Sequence, residues 1–278
     1  MKTIQKTAIA LAASGLFATA AFAQTAPAAA PAAPEVSPIT ANVTVVSDYR
    51  YRGISQSNMK PAIQGGFDYA HESGFYIGNW NSSISWIGDS AYYNSAGAVS
   101  APIEMDFYAG IKKELIGEGF ASDLGVLQYY YPTSGLPANT TSPNTTEIYA
   151  AQNFTFGPVT GFAKFSYAVT TLFGFTNSAG SYYPDLTANY DTGIWGLSVN
   201  AHVGYQKVAG QQVIEGVPTA SYTDWRLGLT KDFGGGLSLA AAYIGTNAAK
   251  NGSTYAYSSP QGKNLGGSTG IVSLTKTF

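Results

Sequence analysis

The sequence contains no cysteine, and only 11% of its 278 residues are charged, against roughly 25% in soluble domains. The absence of cysteine excludes disulfides, thiolate metal sites and lipid attachment through an N-terminal cysteine. A soluble domain with so few charges would expose large apolar patches. Yet beyond the N-terminal leader no stretch is apolar for the ~20 residues that a membrane-spanning helix needs. The scarcity of charged residues and the lack of a long apolar stretch together favour a membrane protein that crosses the bilayer with β-strands.

The first 23 residues have the composition of a secretory signal peptide. Two lysines precede an uncharged apolar stretch, which ends on Ala21-Phe22-Ala23, a small-x-small cleavage pattern. An uncleaved anchor helix is the alternative, but the apolar stretch is short and rich in alanine. The mature chain is therefore predicted to start at Gln24. Residues 24–40 form an alanine/proline tract, which predicts an extended periplasmic tether, because repeated proline disfavours helix and sheet alike.

The charge balance gives no reason to expect nucleic-acid binding. The leader carries two of the 14 basic residues and none of the 16 acidic ones, so the mature chain has a formal charge of 12 − 16 = −4.

From residue 41 onward the polarity alternates with a period of two, which is typical of strands. In residues 41–52 one face carries Val43, Val45, Tyr49 and Tyr51, and the other carries Asn42, Thr44, Asp48, Arg50 and Arg52. Twelve such segments are predicted: 41–52, 61–71, 74–86, 103–113, 121–131, 145–156, 159–169, 181–190, 194–206, 221–232, 237–246 and 270–278. Most have about the length of a tilted membrane-crossing strand.

The connections between these segments alternate between short and long, as in bacterial barrels with short periplasmic turns and longer outside loops. Short links such as 157–158 carry glycine or proline, whereas the link 247–269 is the longest. The pattern predicts an all-β fold, a transmembrane antiparallel up-and-down β-barrel of twelve strands over 41–278, with both termini periplasmic. The predicted location is the bacterial outer membrane, in contact with its lipid.

Aromatic residues near the strand ends are interpreted as interface girdles. They are Tyr49, Tyr51, Trp80, Trp86, Tyr182, Tyr190, Trp195, Tyr205 and Trp225.

The C-terminus ends a predicted strand. Val272, Leu274 and Phe278 share one parity, and a terminal phenylalanine after alternating apolar residues resembles the signal that the barrel-assembly machinery of bacteria recognises. Lys276 departs from that pattern, but near the membrane surface its ammonium can reach the headgroups. We expect the last strand to pair with the first, leaving no open edge.

The polar face of the strands carries the predicted pore-lining residues. They are Asp48, Arg50, Arg52, Asp68, Glu104, Asp106, Glu147, Lys164, His202, Asp224 and Arg226. Such charges are costly in lipid and in a dry core unless paired, so a hydrated lumen is predicted. Arg50 and Arg52 are expected to face acids across the lumen; the alternative is local pairing with Asp48. The register of 74–86 and 121–131 stays open, since Asn79, Asn81 and Gln128 share a parity with apolar residues.

Nothing in the sequence predicts an enzyme, a metal site or a cofactor. Neither His71 nor His202 lies in an HExxH or GxSxG motif. A catalytic His202 would require a serine and a carboxylate to converge on it from neighbouring strands. Two histidines in a chain of this length need no catalytic explanation, so we interpret His202 as a hydrogen-bonded histidine in the lumen.

Several segments resemble the TorF family of outer-membrane porins. The resemblance spans 41–278, and it rests most specifically on "SDYRYRGIS" and "YTDWRLGLTKD". It implies a barrel with a channel role and carries no established substrate or catalytic residue.

Three functions follow from these expectations, in decreasing order of support. The first is a porin-like channel for passive diffusion of small polar solutes or ions. The second is a closed barrel whose outer loops bind a partner, as in an adhesin or structural protein. The third is an outer-membrane hydrolase. Glycine, serine and alanine on the inward faces of 194–206 and 237–246 favour an open path. The oligomeric state is not predicted.

Overall fold

The computed structural model describes residues 37–90, 93–94, 98–210, 214 and 216–278. Twelve antiparallel strands form a closed barrel in which each strand pairs with its neighbours in chain order. The strands are β1 Ile39–Val46, β2 Ala62–Ala70, β3 Phe75–Ser83, β4 Ile103–Gly117, β5 Phe120–Tyr130, β6 Thr145–Phe156, β7 Val159–Ala168, β8 Tyr182–Asp191, β9 Leu197–Gln206, β10 Tyr222–Asp232, β11 Leu237–Thr246 and β12 Thr269–Thr277. The prediction of a twelve-stranded barrel is confirmed. The predicted signal peptide and most of the predicted tether lie outside the described residues.

Alternating side chains explain why these segments form a barrel wall. Along β10, Asp224 and Arg226 are buried inside, whereas Leu227 and Leu229 are exposed outside. The same two-residue alternation recurs in the other strands and gives the wall a largely apolar outer face and a more polar inner face. Among the described residues there is no helix long and apolar enough to cross a membrane.

The barrel closes between its first and last strands. The pairing of β1 with β12 runs from Asn42 with Thr277 to Val46 with Ser273. The Phe278 amide then donates to the Ala41 carbonyl over 2.8 Å. None of the twelve wall strands is left with an unpaired edge, as a wall surrounded by hydrocarbon requires.

The two ends of the barrel differ in their connections. At one end, which we call the short-turn end, five short links join the strands, and β1 begins and β12 ends there. At the other, the long-loop end, the connections are 47–61, 84–102, 131–144, 169–181, 207–221 and 247–268.

The first predicted strand is wrong in its second half. β1 ends at Val46, which pairs directly with Ala62 of β2, although 15 residues separate them. Residues 48–60, which we call the inward loop, leave the wall and fold into the lumen, where most of their side chains are buried. A two-residue period cannot distinguish a wall strand from a hairpin buried in the lumen, because both alternate.

Four of the predicted girdle residues consequently lie inside the barrel. Tyr49 and Tyr51 belong to the inward loop, and Trp80 and Trp86 pack against the same buried cluster. The remaining ones, such as Trp195 at 82% exposure, lie on the outer face or at its rim.

The structure also resolves the two strand registers that the sequence left open. Asn79, Asn81 and Gln128 have the parity of exposed Ile77 and Val126, so they point outward.

Deleting Phe278 is expected to reduce the amount of folded barrel. The residue makes the last backbone pairing, with Ala41, of the seam, by which we mean the β1–β12 pairing that closes the barrel. Its ring is 72% exposed, so it contributes little to the packing inside the barrel. The loss should therefore appear in assembly more than in the stability of folded protein. Heat-modifiable mobility on gels, measured on outer-membrane fractions, checks this, and Leu237→Ala at the same end serves as a control. Parental levels of the truncated protein would contradict an assembly role.

Candidate functional site

The inward loop is built around a hairpin. Arg50–Tyr51 pairs with Ile54–Ser55, and Arg52 and Gly53 occupy the turn with φ of 45° and 77°. Positive φ at both central positions is what a type I′ turn requires. A Cβ on Gly53 would lie 2.5 Å from Cγ2 of Thr246, so the glycine lets the hairpin tip approach the end of β11.

Arg50 fastens the base of the hairpin. Its Nε donates to Asp48 over 2.6 Å, and Nη1 donates to the carbonyls of Gly53, Leu265 and Gly267. The Asp48 carboxylate also accepts from the Ser55 hydroxyl over 2.6 Å. Arg50 thus pairs locally with Asp48 and not with an acid across the lumen. It also holds the inward loop to the connection that precedes β12.

Arg52 reaches across the lumen. Its guanidinium donates to both oxygens of Glu147 over 3.0 and 2.7 Å and to Oε1 of Gln206 over 2.5 Å. Glu147 is on β6 and Gln206 on β9, five and four strands around the wall from β1. The guanidinium carbon lies 4.1 Å from the centre of the Tyr183 ring. This bidentate, buried ion pair ties the loop tip to the opposite wall.

A second tie joins the loop to β4. Tyr49 donates to Glu104 over 2.5 Å, and Tyr131 donates to the other oxygen of that carboxylate over 2.7 Å. Burial raises the pKa of both phenols, and the neighbouring Glu104 carboxylate raises it further, so both stay protonated donors. Asp106, two residues along the same strand, is 4% exposed and forms no salt bridge among the described residues.

His202 lies in a hydrogen-bonded cluster on the wall. Its Nδ1 is 2.9 Å from the Thr187 hydroxyl, and its Nε2 is 3.0 Å from Asp224 and 2.9 Å from the Tyr183 hydroxyl. A hydroxyl, an imidazole and a carboxylate do converge, but the Thr187 side chain is completely buried. No substrate can reach that hydroxyl in this arrangement, so the cluster fits a structural role.

All the residues predicted to line the pore lie on the inner side of the wall. Asp48, Arg50 and Arg52 are in the inward loop; Asp68 is on β2, Glu104 and Asp106 on β4, Glu147 on β6, Lys164 on β7, His202 on β9, and Asp224 and Arg226 on β10. Asp68 and Lys164 have partners on nearby strands and do not contact the inward loop in the hydrogen bonds and ion pairs of the described residues. Asp68 accepts from Tyr108 over 2.5 Å, and Lys164 is 3.8 Å from Asp185.

Sequence reasoning missed the phenols that fill the lumen. Tyr76 donates to Asp123 over 2.6 Å and also bonds to the Tyr149 hydroxyl, while the Tyr51 and Tyr129 hydroxyls bond to each other. For Tyr129 and Tyr149 the available signal was a parity shared with Asp123 and Glu147 on the same strands, whereas Tyr51 had been interpreted as a girdle residue.

The long-loop end of the lumen is filled. A buried cluster joins the inward loop to the 84–102 connection and to inward residues of β3–β5, and two more clusters involve the later loops. Rings pack edge to face at its centre, such as Tyr129 with Phe173 at 5.1 Å. Ala240 and Ala242, expected to leave an open path, are themselves buried.

A closed twelve-stranded barrel with a charged, hydrogen-bonded interior is a porin-like outer-membrane fold. Solved structures with a similar fold agree with this fold class. They include the KdgM porin (TM-score 0.51, 7% identity, 86% of this chain and 99% of that chain), its complex with disordered oligogalacturonate (0.51, 8%, 86% and 98%), and the NanC porin (0.53, 8%, 86% and 98%).

The chain belongs to the Gcw_chp family, described as bacterial proteins of unknown function, whose family model matches residues 28–278. No curated protein is significantly similar to the sequence.

Proposed function

We propose that this protein is an outer-membrane channel for small polar solutes or ions, and that the inward loop forms its constriction. The observation that carries the proposal is the chemistry of that loop. A plug with a purely structural role can be held by apolar packing alone, whereas the inward loop meets the wall through a buried charge and a phenol, at Arg52 and Tyr49. Buried ionic groups on both loop and wall make this constriction polar rather than apolar.

Several features support the location and the partners of such a channel. The leader and the terminal phenylalanine fit export and recognition by the barrel-assembly machinery, and the resemblance to TorF porins agrees with a channel. The short-turn end would then face the periplasm, and both chain termini with it. The exposed apolar residues of the wall would contact outer-membrane lipid.

A closed barrel with partner-binding loops is the second candidate, and the filled long-loop end favours it. Large side chains such as Tyr129 and Leu172 are fully buried there. In that case the loops would present a stable outer surface, and the polar lumen would only position them.

Recording from purified protein in a planar bilayer separates these candidates. A channel is expected to show discrete conductance steps, with an amplitude that depends on the salt concentration. A matched control is protein denatured and added at the same detergent concentration, which should be silent. Folded, heat-modifiable protein that stays silent at all voltages would exclude the channel and favour the closed barrel.

A further inference from the structure

The lumen is filled at the long-loop end, but solvent reaches its other half through the short-turn end. Along β6 the inward side chains change from buried Glu147 through half-buried Tyr149 to exposed Thr155. The inward side chains of β7 change in the same direction, from buried Ser166 to exposed Thr160. The inner wall of β6 and β7 near the short-turn end is therefore accessible to a small solute.

One register row in this accessible half carries inward charges of alternating sign. Lys112 pairs with Asp123, Asp123 with Ala151, Ala151 with Lys164, and Lys164 with Asp185. The two lysines and two aspartates sum to zero charge, so the row attracts neither anions nor cations as a whole. Ala151, whose side chain is a single methyl group, leaves space in the row beside Lys164.

The Lys164–Asp185 pair is an ion pair without a hydrogen bond. Nζ of Lys164 lies 3.8 Å from Oδ2 of Asp185, whereas a charge-assisted hydrogen bond measures about 2.7–2.9 Å. The two side chains are only 11% and 5% exposed. Oδ1 of Asp185 is buried and has no hydrogen-bond partner among the described residues. Because buried polar groups are nearly always hydrogen-bonded, this pair has an acceptor and donors left for a bound molecule.

Two aromatic rings flank the same ammonium group. Nζ of Lys164 lies over the Phe162 ring at 5.5 Å and over the Tyr149 ring at 5.9 Å from their centres. Both aromatic residues are half-buried. The Tyr149 hydroxyl already bonds to Tyr76, so Tyr149 offers the site its ring. A few fixed polar groups beside aromatic surface are typical of a site for a small molecule.

The spacing of the pair favours a hydroxyl group as its ligand. A hydroxyl both donates and accepts, so one placed between the two side chains accepts from Lys164 and donates to Asp185. A carboxylate on the ligand would instead compete with Asp185 for the ammonium, and a ligand ammonium would compete with Lys164. Water can make the same two hydrogen bonds, but it leaves the rings uncovered. A ring compound with several hydroxyls does both.

We propose that Lys164, Asp185, Phe162 and Tyr149 form a binding site for a neutral polyhydroxylated solute, such as a sugar. The site lies between the inward loop and the short-turn end, on the route that a solute would take after the constriction. It rests on the proposed function in that it assigns a solute class to the channel. Binding at equilibrium needs access from one end only, so the site can be tested apart from conduction.

Saturation-transfer NMR on the folded protein tests the site directly. The probes are glucose, sucrose and maltotriose, with glucuronate as the charged counterpart of glucose, in an amine-oxide detergent that carries no sugar. The neutral sugars are expected to receive saturation from the parent protein. Lys164→Met, which removes the donor, and Ala151→Leu, which fills the space beside it, should each lower the signal several-fold. Ser238→Leu, an inward residue near the same end of β11, is the matched control and should keep the signal.

Three results would overturn the proposal. They are no transfer to any of the neutral sugars with folded parent protein, transfer that neither variant lowers, and transfer to glucuronate alone, which would define an anion site. If both variants fail to fold, Phe162→Leu provides the comparison, because it removes a ring and no charge. A barrel that binds the sugars but never conducts would refute the channel and keep the site. A barrel that conducts and binds none of them would do the reverse.

Discussion

An Arg52→Ala variant is expected to lose about 3–5 kcal/mol of its free energy of unfolding, because one partner of a buried ion pair is removed. The Arg52 and Glu147 side chains are 4% and 1% exposed, so the remaining carboxylate would stay buried without a base. The Gln206 side chain would lose its donor at the same time. Urea unfolding in detergent micelles or vesicles, followed by tryptophan fluorescence, measures the difference.

The matched control removes both charges. An Arg52→Met/Glu147→Met double variant is expected to recover most of the lost stability, since replacing a buried pair by apolar groups of similar size is often close to neutral. Lys60→Ala, at the exposed end of the inward loop, should change little. If Arg52→Ala were as stable as the parent, the ion pair would not be what holds the loop tip.

Replacing residues 48–60 with Asn-Gly is expected to produce the largest functional change, a several-fold higher single-channel conductance. Val46 and Ala62 already pair, so a short turn can join β1 to β2 without the inward loop. The wall should therefore survive, while the hairpin that crosses the lumen is removed. A Glu147→Gln background avoids leaving that carboxylate unpaired.

A second shortened loop controls for the loss of chain length. The hairpin of Lys250–Asn251 with Thr254–Tyr255 belongs to the last long loop, and its first strand is exposed. Replacing 250–255 with two glycines should leave conductance unchanged. If the variant without residues 48–60 folds but conducts no better than the parent, the other loops form the constriction and the inward loop does not.

The wall was predictable because residues close together in the sequence determine its strands and turns. Alternation along each strand and alternation of turn lengths determined twelve strands, and most boundaries agree within about three residues. β4 extends further, to Gly117, through an irregularity between Glu114 and Gly117 that the sequence pattern did not reveal.

The interior was not predictable in the same way, because contacts between distant residues determine it. Parity placed Arg52 and Glu147 on the inner side, but it gave no indication that the chain leaves the wall after Val46. The pair across the lumen joins residues 95 apart, and only the folded wall brings them together. The Arg52-Gly53 dipeptide was the available clue, since a glycine in the second position suits a tight hairpin turn.

The seam has a consequence for the order of events during biogenesis. Thr44 on β1 shares a hydrogen bond with Thr275, which lies 231 positions later, and Arg50 bonds to the carbonyl of Leu265, 215 positions later. β1 can pair with β2 early, but it must wait for almost the whole polypeptide before its second partner, β12, is available. Contacts of such separation form late and slowly. Until then one edge of β1 is unpaired and a charged hairpin follows it, so a chaperone that shields this edge in transit would protect the chain from pairing with other chains.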